Sequence, residues 1–249
     1  MNNSDKLIPE VTVLLSAFNN ISFIEQQIES ILNQRDVKIF LIIRVDGSID
    51  GTSEFLKIKY SNFDNIKITI GQNLGPAMSF MKLLELSDFD TDYYCFSDAD
   101  DFWLPEKLKY SISKLKNESA DAVVVKYEIV DENLNHLSFS KPPRLPYSIS
   151  NALIECVTPG NATLFNYKIF NLIKNKFPNY IVMHDAWLYL VLSAFGKTVF
   201  LDVPLVKYRQ HGKNVFGVSN TVSSRIKIRI KNIIFPNSLY KLARVEFCI

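Results

Sequence analysis

Three carboxylates, Asp98, Asp100 and Asp101, fall within four consecutive positions directly after the strand-like stretch DYYCFS (Asp92–Ser97). Carboxylates this close repel one another, so at least one is driven toward its protonated form unless a cation neutralises them. Hard oxygen ligands suit Mg²⁺ or Mn²⁺, ions that keep coordination positions open for phosphate oxygens. One reading is an Asp-x-Asp site holding a divalent metal and a diphosphate. The other is an acidic loop with Asp101 at or near the N-cap of the next helix. The segment DGSIDGT (Asp46–Thr52) is similarly open, since Asp50 or Thr52 can simply cap a helix after a turn. Neither GxxxxGK[ST] nor GxGxxG occurs, which argues against a P-loop nucleotide hydrolase or a standard dinucleotide fold.

These groups need a scaffold, and the first half of the chain describes one. Val11–Ser16 and Lys38–Asp46 are β-branched apolar runs of the kind buried on both faces of a parallel sheet. Ile66–Ile70 and Asp92–Ser97 are two further strands. Helical spacing is expected over Ile21–Leu32, Thr52–Tyr60, Ala77–Leu86 (with Pro76 in its first turn) and from Pro105 to about Lys116. Strands alternating with helices form a parallel sheet with helical crossovers, which binds ligands beyond the carboxyl ends of its strands. Phe18–Asn19, Asp46–Asp50, Asn73 and Asp98–Asp101 all lie at such ends. The second half is less regular: strands are expected at Ala122–Val130 and Asn161–Asn166. Two more, Thr198–Val203 and Leu205–Tyr208, flank Pro204. A strongly apolar helix is expected over Asp185–Phe195.

With 249 residues, 47% hydrophobic and 22% charged, the chain has ample material for a core, and is neither disordered nor a disulfide-stapled miniprotein. Cys95, Cys156 and Cys248 are far apart and odd in number, which suits a reducing compartment. The start MNNSDKLIPE has no apolar signal region, and no run approaches a membrane span, so a soluble, cytoplasmic protein is expected. The net charge of +2 hides an asymmetry: Val222–Ile249 carries +5 and the remainder −3.

Taken together, the motifs resemble the family-two glycosyltransferases of the GT-A fold, over about Val11 to Gly217. The resemblance rests on SAFN (Ser16–Asn19), VDGSIDGT (Val45–Thr52), NLG (Asn73–Gly75) and FSDADDFWLPEKL (Phe96–Leu108). Further on come HDAW (His184–Trp187) and YRQHG (Tyr208–Gly212). The last three blocks look most like the bacterial rhamnosyltransferase-type branch that builds cell-surface polysaccharide. The resemblance implies a Rossmann-like, mostly parallel sheet with helices on both faces and a less regular acceptor-side half. One domain over 1–219 is expected, its nucleotide-binding half about 8–117 and its acceptor half about 118–219, followed by a basic, apolar extension over 220–249. The implied activity is inverting, metal-dependent transfer from a nucleotide-diphosphate sugar (dTDP-rhamnose or a UDP-hexose) to a hydroxyl of a cell-surface polysaccharide or lipid-linked saccharide.

The resemblance also implies residue roles. Ser16, Phe18, Asn19 and Asp46 would line the nucleotide pocket and Asn73 would help shape it. Asp98 would face the donor's ribose or sugar, and Asp100 with His211 would hold Mg²⁺ or Mn²⁺. Arg209 would add positive charge near the leaving phosphate, and Asp185 would be the catalytic base. An aspartate at a helix N-terminus is favoured in its ionised form, although Asp185 read singly is equally an N-cap. His211 read singly is a hydrogen-bonded loop histidine. Trp103 and Trp187 are expected in core or rim packing. The family usually reads Asp-Asp-Gly-Ser; here Val45 replaces the first aspartate, which bears on base recognition.

Arg225–Lys231 alternates isoleucine with basic residues, and 224–235 reads either as a peripheral contact with anionic lipid on the inner membrane face or as a terminal element packed on the domain. Nucleic acid is not an expected partner, because the rest of the chain is acidic. Two other functions stand beside the leading one. A catalytically silent binding or scaffold subunit is disfavoured by the intact Asp98, Asp100, Asp185 and His211. A sugar-nucleotide pyrophosphorylase needs a Gly-rich, basic loop where this chain has SAFNN.

Overall fold

The computed structural model describes residues 8–143, 146–153, 156–175, 178, 181 and 183–212. Strands β1 (Glu10–Ala17), β2 (Lys38–Asp46), β3 (Ile66–Gly71) and β4 (Tyr93–Asp98) are parallel and lie in the order β3-β2-β1-β4. Helices α1 (Ile24–Leu32), α2 (Thr52–Tyr60) and α3 (Pro76–Leu86) cross between them. The strand alternation splits the core in two. Val11, Val13, Leu15 and Ala17 pack with Ile24, Ile28 and Ile31 of α1 and Leu56 of α2. Leu14, Ile42, Tyr94 and Phe96 pack with Phe80, Leu83 and Leu84 of α3. Apolar surface removed from water on both faces is what makes these runs continuous in sequence.

Helix α1 begins at Ile24, three residues later than its periodicity suggests. Asn20 turns the chain by accepting the Phe23 and Ile24 N–H groups through its carbonyl, and the Asp50 carboxylate takes the Ile21 N–H at 3.0 Å. Ile21 is left exposed in a loop tied to the next strand end.

The second half departs from the expected mostly parallel sheet. It contains β5 (Phe102–Trp103), α4 (Lys107–Asn117), β6 (Ala122–Val130), β7 (His136–Phe139), α5 (Ile149–Ala152), β8 (Thr163–Asn166), α6 (Tyr167–Asn175), α7 (His184–Phe195) and β9 (Thr198–Arg209). The sheet continues β4-β8-β6-β9-β5, with β7 against β6. Among the described residues four pairings are parallel and four antiparallel. Strand β8 is antiparallel to both β4 and β6, so two reversals leave β6 and its parallel neighbour β9 running in the direction of β4. Strand direction is a property of the partner and not of the strand's own pattern, which is why composition does not disclose it. The consequence is functional: β9 delivers Arg209 and His211 to the edge where β1, β2 and β4 end.

Two strands were expected around Pro204, but β9 is continuous. Pro204 lies opposite Lys126 at a register shift in the β6–β9 ladder, a bulge where the missing N–H is tolerated. Helix α6, β5 and β7 were not anticipated, although Ile169, Phe170 and Ile173 of α6 are buried at helical spacing.

Trp103 is wholly buried, with the Lys107 ammonium 3.0 Å from its ring centroid. Trp103→Ala is expected to cost about 3–5 kcal/mol of stability, measured as a lowered urea midpoint. Among the described residues no helix is long and apolar enough to cross a membrane. The basic segment 224–235 and Cys248 lie outside the described residues.

Candidate active site

The register places Ser16 level with Asp98 on one side and Arg44 on the other, so the strands end together. Beyond them the chain supplies acid. The His211 ring donates or accepts at Nε2 against Asp100 Oδ2, 2.8 Å away. His211 also stacks on Phe23, with centroids 4.9 Å apart. Asp101 is fully buried, accepting the Asn161 side-chain amide and the Arg209 main-chain N–H, the latter at 3.0 Å.

Asp100, Asp101 and Asp185 all lie close enough to act electrostatically on Asp98. Burial, then Asp101, Asp100 and Asp185, hold the Asp98 carboxyl well above the usual carboxylate range. Burial followed by the Asp100 charge raises Asp101 to about 7, against the Asn161 and Arg209 hydrogen bonds. Among the described residues no protein donor reaches the Asp98 carboxylate. A cation beside such a cluster would favour its ionised form.

The fit to a divalent ion follows from the donors. Among the described residues no group of three His, Cys, Asp or Glu side chains is disposed as a ligand set. Asp100 and His211 offer one carboxylate and one imidazole already side by side. Mg²⁺ and Mn²⁺ need no more from the protein than one or two such groups, since phosphate oxygens and water complete the shell.

The nucleotide-side residues identified from sequence are brought together, but several are already occupied. Asp46 is 2% exposed; its carboxylate pairs with Arg44 and accepts the Leu74 and Gly75 N–H groups at 2.9 and 3.0 Å. The Ser16 hydroxyl meets Ser79 of α3 at 2.6 Å, and Arg44 reaches that same Ser79 at 3.0 Å. Asn19, at φ +52°, accepts the Ile49 N–H at 2.9 Å through its side chain, while its own N–H goes to Ser48. Asn73 Oδ1 accepts the Gly75 N–H at 2.9 Å. Gly47, at φ +74°, lies against the Asn73 backbone, where a Cβ would come within 2.7 Å of the nitrogen. The three loops thus form one laced rim, with Phe18, Ile49 and Leu74 exposed on it.

Arg209 is likewise committed. Its guanidinium donates to the Asp100 carbonyl at 2.7 Å, to Gln26 Oε1 at 2.5 Å and to the Glu132 carbonyl, and sits over the Phe23 ring. It fastens the end of β9 onto α1 and the acid loop.

Asp185 occupies the first turn of α7, where its carboxylate accepts the Ala186 N–H at 2.7 Å. Burial raises its carboxyl to about 6. The preceding His184 is buried against Phe80 and Phe96, and burial pulls it down to about 3, so its ring is uncharged at neutral pH. Lys107 is also fully buried, lowered to about 7 by the same cause. Asp101, Asn161, Gly160, His184, Lys107 and Gln26 carry no site role in the sequence reading, although Asp101 is visible as the third carboxylate of the cluster and His184 and Lys107 fall within the motif blocks HDAW and FSDADDFWLPEKL.

The model of the family described as Glycosyl transferase family 2 matches residues 12–188. The chain belongs to glycosyl transferase family 2. It is a glycosyltransferase. Its relatives include a dTDP-rhamnosyl transferase, RfbG of Shigella flexneri, 28% identical over 86% of this chain and 77% of that protein. An uncharacterized glycosyltransferase of Haemophilus influenzae is 30% identical over 95% of this chain and 76% of its own length. The putative teichuronic acid biosynthesis glycosyltransferase TuaG of Bacillus subtilis is 28% identical over 87% and 82%. In fold, the family-2 chain resembles S. aureus TarS 1–349 in complex with UDP-GlcNAc, with TM-score 0.66, 16% identity and coverage of 94% of this chain and 69% of that one. In another TarS 1–349 structure the coverage of that chain is 60%.

Proposed function

We propose that this glycosyltransferase moves a sugar, with inversion and with the help of a divalent cation, from a nucleoside-diphosphate donor to a hydroxyl of a cell-surface or lipid-linked saccharide. The observation that carries the reading is the Asp100–His211 pair in the loop after Asp98, with Asp185 of α7 near enough to act on the Asp98 charge. Asp185 takes the acceptor hydroxyl proton as that oxygen bonds to the anomeric carbon and the bond to the diphosphate breaks on the opposite face. Asp98 orients the donor, and Asp100 and His211 would hold Mg²⁺ or Mn²⁺. Held there, the ion would supply Lewis-acid neutralisation of the departing diphosphate. Phe18, Asn19 and Asn73 form the rim of the nucleotide pocket. Ser16, Asp46 and Arg209 act by holding that rim and the acid loop in shape.

The RfbG relative supports dTDP-rhamnose as donor, and a UDP-hexose is the competing choice. One domain through about residue 219, with 224–235 touching an anionic membrane surface, completes the proposal. Screening nucleotide sugars for slow, metal-dependent hydrolysis tests it without an acceptor. Donor-independent silence with every nucleotide sugar would overturn it.

A pH profile gives a further check. A base must be ionised, and Asp185 is raised to about 6. The transfer rate is therefore expected to climb as pH rises through about 6 and to plateau above it, measured as kcat at saturating donor.

A further inference from the structure

The turn Pro159–Ala162 touches Asp101 of the acid loop and His184, the residue before Asp185. Asn161, 3% exposed, donates its side-chain amide to Asp101, and its carbonyl accepts the buried Lys107 ammonium at 2.8 Å. Asp101 in turn holds the Arg209 N–H, and Arg209 returns to the Asp100 carbonyl. One residue earlier, Gly160 faces the ring of His184. A Cβ there would stand 2.6 Å from His184 Nε2, 3.2 Å from Cδ2 and 3.4 Å from Phe96 Cβ. Gly160 is not among the positive-φ glycines, so space and not backbone conformation excludes a side chain. The ring cannot retreat freely: it stacks on Phe80 at 3.8 Å and meets Phe96 edge-on at 5.0 Å between centroids. His184 opens α7 and is the immediate neighbour of Asp185.

We infer that Gly160 and Asn161 are positioning residues: through Asp101 on one side and His184 on the other, their turn sets the separation between the diphosphate-side carboxylates and Asp185. The inference rests on Asp185 being the base. Neither residue touches the reacting atoms. A close-packed interior passes a displacement on to its neighbours, so a methyl group at Gly160 moves the start of α7. A shift of about 1 Å in a reacting group costs on the order of 100-fold in rate.

The test is Gly160→Ala in the full chain. Its kcat for transfer is expected to fall on the order of 100-fold. Its Kd for UDP or dTDP with Mn²⁺, read by calorimetry, should stay within about twofold of the parent. In Gly160→Ala/His184→Ala the methyl group has room, and the two losses are expected to be non-additive, with kcat partly restored. A purely structural turn would lower the melting temperature and leave kcat per folded molecule unchanged, which overturns the inference. Parallel loss of nucleotide affinity overturns it too. Should Gly160→Ala not fold, His184→Leu removes the stacked ring with Gly160 intact: a loss confined to kcat supports the inference, and an unchanged kcat overturns it. Asp185→Asn separates the two failures. If it retains turnover, the base assignment falls; if it is inactive while Gly160→Ala and His184→Leu are both normal, only the positioning role falls.

Discussion

Asp185→Asn is expected to lower kcat for sugar transfer by about 10²–10⁴-fold while nucleoside-diphosphate affinity stays near that of the parent. The substitution is nearly isosteric, and its side-chain carbonyl still accepts the Ala186 N–H that the carboxylate takes at 2.7 Å. What disappears is the capacity to take a proton. The fold should tolerate the change, because the carboxyl sits in a site that already raises it to about 6 by burial, so removing its charge relieves a desolvation penalty. A slightly higher melting temperature beside a collapsed kcat would be the signature of a functional and not a structural aspartate. Near-normal turnover would remove Asp185 from the chemistry.

Asp100→Asn is expected to lower the transfer rate by about 100-fold or more, because charge neutralisation of a leaving diphosphate is worth several kcal/mol. The same variant should bind UDP or dTDP equally with Mn²⁺ or with chelator, whereas the parent should lose affinity on chelation. The neighbouring architecture isolates the effect. Arg209 holds Asp100 by its main-chain carbonyl, and an asparagine side-chain oxygen can still meet His211 Nε2. The loop therefore stays fastened while the anionic ligand is lost. Equal chelator sensitivity in parent and variant would place the ion elsewhere.

The sequence exposed those parts of the fold that local pattern controls. The bounds of β2, α2 and β6 coincide with the runs Lys38–Asp46, Thr52–Tyr60 and Ala122–Val130, because burial on both faces and turn residues such as Gly47 and Gly51 are written locally. Helix α1 starts late because its first residues are claimed by the local turn at Asn20 and by Asp50 on a neighbouring loop. Strands β5 and β7 are two and four residues long, too short for any periodicity to register.

The site divides along the same line. The residue types needed for the chemistry are determined by the sequence alone: an acid cluster after a buried strand, an aspartate opening an apolar helix, and a histidine beyond the last strand. Which of them meet was decided by tertiary structure. His211 and Asp100 are 111 positions apart, and they come within 2.8 Å only because β8 inserts antiparallel and so turns β9 toward the edge where β4 ends. Tertiary structure also decided which polar groups remain available. Asp46 and Arg209 look like ligand contacts in sequence, yet buried charges must be paired, and each is matched within the protein. Among the described residues Asp98 meets no such partner, and its neighbours Asp101, Asp100 and Asp185 are all acidic.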